Sequence, residues 1–358
     1  PAGSYPYRYA RAKGIRCGNS AALPTEKGLF AGNGTPEQPF LISGAEDLIA
    51  FSNVLKTDDR NFYANASYLQ TADIRFTREQ SMTFSPIGQD GAVFRGIYDG
   101  GGHTVSNLHI QSEEECVSLF GYVNGAEIRN VNTRDIAVTA SAYIGGIVGV
   151  AEYSRIENCH ARNFRVAATN TDHCNIGGAI GVALHSVVRD CSAVGGSVAG
   201  FRDLGGFMGE ANHSKVSNCY ADEIADLNGQ GNSCGGFVGN FKGASRFDHC
   251  FTTANVSGAL RIGAFSGFSG CDRRAEMKYC LALGTVQSCR RQTHGGLTGA
   301  RVASVVDCFY SDRLENIDCC QGTAVAPEAA CTDEFVRALG APYCVRNARV
   351  MLRIGNLT

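Results

Sequence analysis

Apolar residues come along most of this chain in short runs of β-branched and aromatic side chains, broken by Gly and by Asn or Asp, with no helical period between about 117 and 311. Such runs predict short strands joined by tight turns. The runs also recur. A glycine element returns as YIGGIVG (143–149), NIGGAIG (175–181), DLGGFMG (203–209), SCGGFVG (233–239), RIGAFSG (261–267) and THGGLTG (293–299), at intervals of 32, 28, 30, 28 and 32 residues. Between the copies a second element ends on Cys159, Cys191, Cys219, Cys250, Cys280 and Cys308. A degenerate earlier copy, VSLFG followed by EIRNV, puts Val131 in the cysteine column, which makes at least seven units.

A unit of about 30 residues built from several strands cannot bury its own apolar side, so neighbouring units must stack and pair in parallel, each adding roughly 4.8 Å along one axis. The expected fold is all-β, a parallel β-solenoid of 28–32 residues per coil. Columns of like residues set the register. Three before the cysteine stand Ile128, Ile156, Val188, Val216, Phe247, Met277 and Val305; two after it stand Ala161, Ala193, Ala221, Thr252 and Ala282. Both columns read as inward, yet they differ in parity, so the chain must bend between them. The residue before the cysteine (Asn130, Asn158, Asp190, Asn218, His249, Tyr279, Asp307) supplies the polar corner. Ser154, Ser186, Ser214 and Ser245, five before it, read as a column of turn caps.

The solenoid is expected over 94–313, after an extension at 1–32 and an N-terminal cap at 33–93, and before a cysteine-rich C-terminal cap at 314–358. In the first cap GAEDLIAFSNVL predicts an amphipathic helix near 44–55 with Leu48, Phe51 and Leu55 on one face; in the second, APEAACTDEFVRALG predicts a helix near 327–339. Helical caps suit a solenoid, whose ends otherwise expose unpaired strand edges.

Composition agrees with this reading. Gly is 44 of 358 residues, charged residues are 18%, and Lys+Arg 32 against Asp+Glu 34 leaves a net charge of −2, without the basic excess that nucleic acid or anionic lipid binding needs. The longest apolar stretches are far shorter than a membrane span. The opening PAGSYPYRYARAKG has no initiator Met and no apolar leader, so export is not read from it.

The cysteine column is expected to hold buried free thiols that act as small apolar packers, because in-register side chains on parallel strands point alike and rarely reach disulfide geometry. Cys319, Cys320, Cys331 and Cys344, together with Cys271 and Cys289, lie where the regular repeat is interrupted or over, and are candidates for disulfides of undefined pairing. Asn33, Asn65, Asn212 and Asn255 stand in N-x-S/T sequons, as does Asn356, and are acceptors only in a host that glycosylates. Cleavage of polysaccharide would need converging carboxylates, and no carboxylate column recurs. Asp99 in YDGGGHT reads as structural, His185 and His213 as a stacked pair on adjacent coils that lacks a third metal ligand, and Arg273–Arg274 with Arg290–Arg291 as a local basic spot. No metal or cofactor is expected.

NGTPEQPFLISGAEDL, then FSPIG with FRGIYDGGGHTVSNL, then the alternating GGFVG and V-x-N-C-x-A elements resemble the GLUG-repeat family of extracellular bacterial β-helix regions, found in adhesin-like surface proteins and beside IgA-peptidase domains. The resemblance covers about 33–339. It implies a right-handed parallel β-helix, secretion or surface display, and a structural or binding role without catalysis, with protein or glycan partners. HExxH is not among the motifs, so the peptidase chemistry of some multi-domain relatives is not expected here. The Tyr- and Arg-rich arm with Cys17 does not match the repeat and suits a contact to a neighbouring subunit of a fibre. The alternatives are a carbohydrate-binding or carbohydrate-cleaving solenoid with a lateral groove, and a spacer of a larger secreted peptidase.

Overall fold

A computed structural model describes residues 29–352 apart from 59–60, 90, 173, 289–293, 316, 320, 341 and 347–348. Among the described residues the chain winds through three parallel sheets of ten, six and eighteen strands, and the eighteen-stranded one turns a corner within each coil. The ten-stranded sheet begins at Phe40–Ile42 and Ser67–Gln70, so stacking starts inside the segment that the sequence reads as a cap. It ends at Ser304–Val306.

Register follows the columns. Ile156 pairs with Val188, Val188 with Val216, Val216 with Phe247 and Phe247 with Met277; Ala161, Ala193, Ala221, Thr252 and Ala282 pair likewise. All of these are buried. The bend between the two columns is a left-handed residue in every coil: φ is +55° at Asn130, +51° at Asn158, +55° at Asp190, +53° at Asn218 and +46° at Asp307. Asn and Asp tolerate this region best, and their side chains bond the coil above or below. Asn158 Nδ2 donates to Asn130 Oδ1 at 2.8 Å, and Asn218 Nδ2 to Asp190 Oδ1 at 3.1 Å. His249 and Tyr279 occupy the same corner at +48° and +52°, where their rings stack at 4.8 Å.

Three further left-handed columns complete the coil. They run through Tyr143, Asn175, Asp203, Ser233 and Arg261; through Tyr153, His185 and His213; and through Asn107, Asp135, Asn163 and Glu223. The serine column lies just inside the second of these. Each hydroxyl accepts the backbone N–H of the equivalent residue one coil earlier, Ser154 from Ala126 (3.1 Å), Ser186 from Ser154 (3.0 Å), Ser214 from Ser186 (3.0 Å) and Ser245 from Ser214 (3.1 Å). These N–H groups are buried at a corner, where the ladder cannot serve them and a side chain must.

At the N-terminal end α1 (Ala45–Thr57) buries Leu48, Phe51 and Leu55 and closes the barrel. Phe51 stacks on Tyr68 at 3.8 Å and meets Phe94 edge-on at 5.3 Å. The short α2 (Arg78–Thr83) follows, held by a reciprocal cap between Thr77 and Gln80. At the other end the expected single helix is two, α3 (Pro327–Ala330) and α4 (Asp333–Leu339), because Thr332 is extended and its hydroxyl accepts Phe335 N–H as a new N-cap. This segment and an antiparallel hairpin, Tyr343–Arg346 with Arg349–Leu352, lie along the flank. They cover the apolar column Tyr220, Phe251 and Leu281, and the Tyr343 hydroxyl sits 2.7 Å from the Tyr279 carbonyl and 3.1 Å from that of Cys250.

Candidate functional site

Most polar chemistry in the solenoid is spent between coils. On the outer side of the ten-stranded sheet, Arg129 bridges Asp99 (2.8 Å) and Glu127 (2.5 Å), and Glu157 takes Arg155 (3.2 Å) and Arg189. Burial works against the Asp99 carboxylate, but hydrogen bonds from Asn130, the Gly101 N–H and Arg129 outweigh it and hold the group below the usual carboxylate range. Its place in the glycine turn is thus a coil-to-coil contact.

Cys159, Cys191, Cys219, Cys250, Cys280 and Cys308 are buried and free. Each thiol donates to the carbonyl two residues before it, at 3.0–3.4 Å. Burial pushes Cys159, Cys191 and Cys280 well above an ordinary thiol, whereas hydrogen bonding with Cys280 lowers Cys308 at the end of the column. Of the disulfide candidates, Cys331 and Cys344 are free and half-buried. Cys289 and Cys320 lie outside the described residues, as does Cys17; Cys271 and Cys319 are placed only as strand backbone. Among the sequons, Asn65 and Asn255 are exposed while Asn33 and Asn212 are half-buried, and Asn356 lies outside the described residues.

His185 and His213 do stack, with ring centroids 4.8 Å apart, and Tyr153 extends the stack at 4.8 Å from His185. The tyrosine was legible as the equivalent position one coil earlier. Among the described residues no group of three or more His, Cys, Asp or Glu side chains could hold a metal. Arg274 is ion-paired to Asp272 at 2.8 Å, and Arg290 and Arg291 lie outside the described residues.

A buried polar quartet that the repeat pattern did not single out lies over the six-stranded sheet. Asn175 Nδ2 donates to Glu210 at 3.4 Å and Asn240 Nδ2 to Asp203 at 3.2 Å, while Lys242 (2.8 Å) and Arg202 (3.2 Å) neutralise the two carboxylates. Each acid thus holds one amide donor and one cation.

His160 is a buried base with a structural task. Its Nδ1 lies 2.9 Å from Ser192 Oγ and its Nε2 3.1 Å from Asn158 Oδ1. Asn158 already donates through its amide nitrogen, so Nε2 carries the proton and Nδ1 accepts from the serine. Burial, helped by Arg162, lowers its pKa from 6.5 to about 4. Between these values the unfolded chain binds more protons than the folded one, so stability falls as pH drops from about 6.5 toward 4, by about 3 kcal/mol. Urea unfolding at pH 7 and pH 4.5 should show this loss, and His160→Gln should remove most of the difference; an unchanged difference in the variant would refute the assignment.

A lateral groove of about 610 Å³ opens at the corner of Asp135, Asn163 and Glu223. It shares His109 and Ala137 with a trough of about 1420 Å³ bordered by α2.

These features define a parallel β-solenoid whose interior is filled by packed side chains. Residues 140–167 match the family described as "The GLUG motif". Over 128 residues, 34% of this chain, the sequence is 33% identical to halomucin of Haloquadratum walsbyi (strain DSM 16790 / HBSQ001), of whose length this match spans 1%. A solved structure from Bacteroides ovatus, provisionally described as an immunoglobulin A1 protease, superposes with a TM-score of 0.66 over 94% of this chain and 99% of that one, at 18% identity, a likeness of fold. The same glycine and cysteine elements recur coil after coil on either side of the matched residues, so the chain is a parallel β-solenoid that carries the GLUG motif. No helix among the described residues is long and apolar enough to cross a membrane.

Proposed function

We propose that this chain is a non-catalytic extracellular scaffold, a cell-surface adhesin segment or a fibre subunit, that presents flat solenoid faces to protein or glycan. The observation that carries this reading is the commitment of serine, asparagine and charged columns to coil-to-coil bonds, which yields a stiff rod. The likeness to the GLUG motif supports it. In the fibre form, the N-terminal arm, of which residues 1–28 lie outside the described residues, joins neighbouring subunits.

Protease shaving of intact source cells should release peptides of this chain, and negative-stain microscopy of the native material should show filaments that disappear when residues 1–17 are deleted. Complete protection from shaving would refute surface display; filaments that survive the deletion would refute the arm. A spacer within a larger secreted peptidase is the second reading, favoured by the description of the Bacteroides ovatus structure. It predicts that the native material runs as a much larger polypeptide with peptidase activity. The carbohydrate-cleaving alternative has less behind it, since Asp203 and Glu210 are each bound to a cation.

A further inference from the structure

The geometry points to the lateral groove as a binding site for a linear acidic polysaccharide lying along the solenoid axis, with the guanidinium of Arg165 on a sugar carboxylate. This rests on the scaffold reading and supplies its ligand.

The first ground is periodicity. Four coils offer the groove a left-handed corner residue and the residue two further on, the coil before them adds His109, and the latter positions are in register: His109 with Ala137, Ala137 with Arg165, Arg165 with Ser197. Five coils at about 4.8 Å each give a track of roughly 19 Å from His109 to Glu223. A linear glycan advances by about one coil height per sugar, so each coil faces about one residue of the polymer, and Arg165 marks the one whose carboxylate is held. Gly195 interrupts the corner column with no side chain, which opens the groove beside Asn163.

The second ground is what the groove can bond. Its backbone is already used between coils, as in Arg165 N–H to Ile136 O at 2.8 Å and Ala137 N–H to Leu108 O at 2.9 Å, so an added peptide strand would find no ladder to join. Recognition falls to side chains. Asn163 and Ser197 offer donors and acceptors suited to hydroxyls. Of the charged groups, Asp135 lies 3.9 Å from Arg134 and Glu223 is paired with Arg349 of the C-terminal hairpin. Arg165 is exposed and has no carboxylate partner among the described residues. A planar five-donor cation left free in a groove of hydrogen-bonding groups fits a carboxylate that also carries hydroxyls.

The test is calorimetric titration of the whole chain with hexagalacturonate, hexamannuronate and neutral cellohexaose. Saturable binding of at least one acidic hexamer is expected, with cellohexaose far weaker. Arg165→Ala should weaken that binding about tenfold or more without moving the thermal midpoint, Arg165→Lys should retain part of it, and Arg273→Ala, at a remote exposed site, should not change it. No saturable binding of either acidic hexamer, equal binding of cellohexaose, or an Arg165→Ala variant that binds like the parent would overturn the proposal. Shaving of intact cells reads surface display independently, so a failed titration with display intact refutes the groove alone.

Discussion

Gly205→Ala is expected to abolish cooperative folding of the central coils, with a cost above about 4 kcal/mol. A Cβ at this position would lie 2.0 Å from the Met208 carbonyl oxygen, 2.6 Å from that of Phe237 and 2.8 Å from Gly239 N. Every obstacle is backbone, the first in the same coil and the others in the next, so relief requires the coils to separate. The same clash with the carbonyl three residues on recurs at Gly145, Gly177, Gly235, Gly263 and Gly295, at 1.5–2.3 Å. Because each coil is supported by its neighbours, damage at one rung should loosen the adjoining ones. Limited proteolysis should show new cleavage near 203–239 in the variant. Gly125→Asn is the control. Gly125 has φ +69° with nothing within 4 Å of a built Cβ, and shares its column with Tyr153, His185 and His213 at +47° to +52°. It should stay within about 0.5 kcal/mol of the parent. Equal urea midpoints for the two variants would refute the steric account.

Phe237→Ala should cost about 3–5 kcal/mol. The ring is wholly buried between Phe207 (4.9 Å) and Phe265 (4.8 Å) in one stacked column, and Phe247 meets it edge-on at 5.8 Å. Truncation opens a cavity between rungs whose backbones are tied by ladder bonds on both sides, so the site cannot collapse to fill it. Phe237→Leu keeps most of the volume and should cost roughly 1.5 kcal/mol or less. Urea unfolding of both variants checks the order; an Ala variant no worse than the Leu variant would mean that packing along this column contributes little.

These effects trace to features of different legibility. The glycine spacing, the cysteine column and the inward Ile/Val and Ala columns were all readable, because a stacked repeat places like residues at like depths and any break in a column is costly. One left-handed corner was readable too, from its Asn and Asp. Elsewhere Asn107, Asp135, Asn163, Asn175 and Asp203 carry the same residue types without a cysteine to mark their columns, while Tyr153, His185, His213 and Arg261 carry no turn signature and take positive φ because the coils above and below impose it.

The chain's own pattern determined the solenoid, its register and the helix that plugs its first coil, since period and polarity are local properties that repetition amplifies. Tertiary structure decided the rest. Only the fold brings Asn175 to Glu210 and Asn240 to Asp203, lays the C-terminal hairpin along the flank, and leaves Arg165 open in a groove while Asp135 and Glu223 are paired. Those relations depend on which residues of separate coils face one another across a corner, and a linear sequence carries no measure of that distance until the coils are stacked.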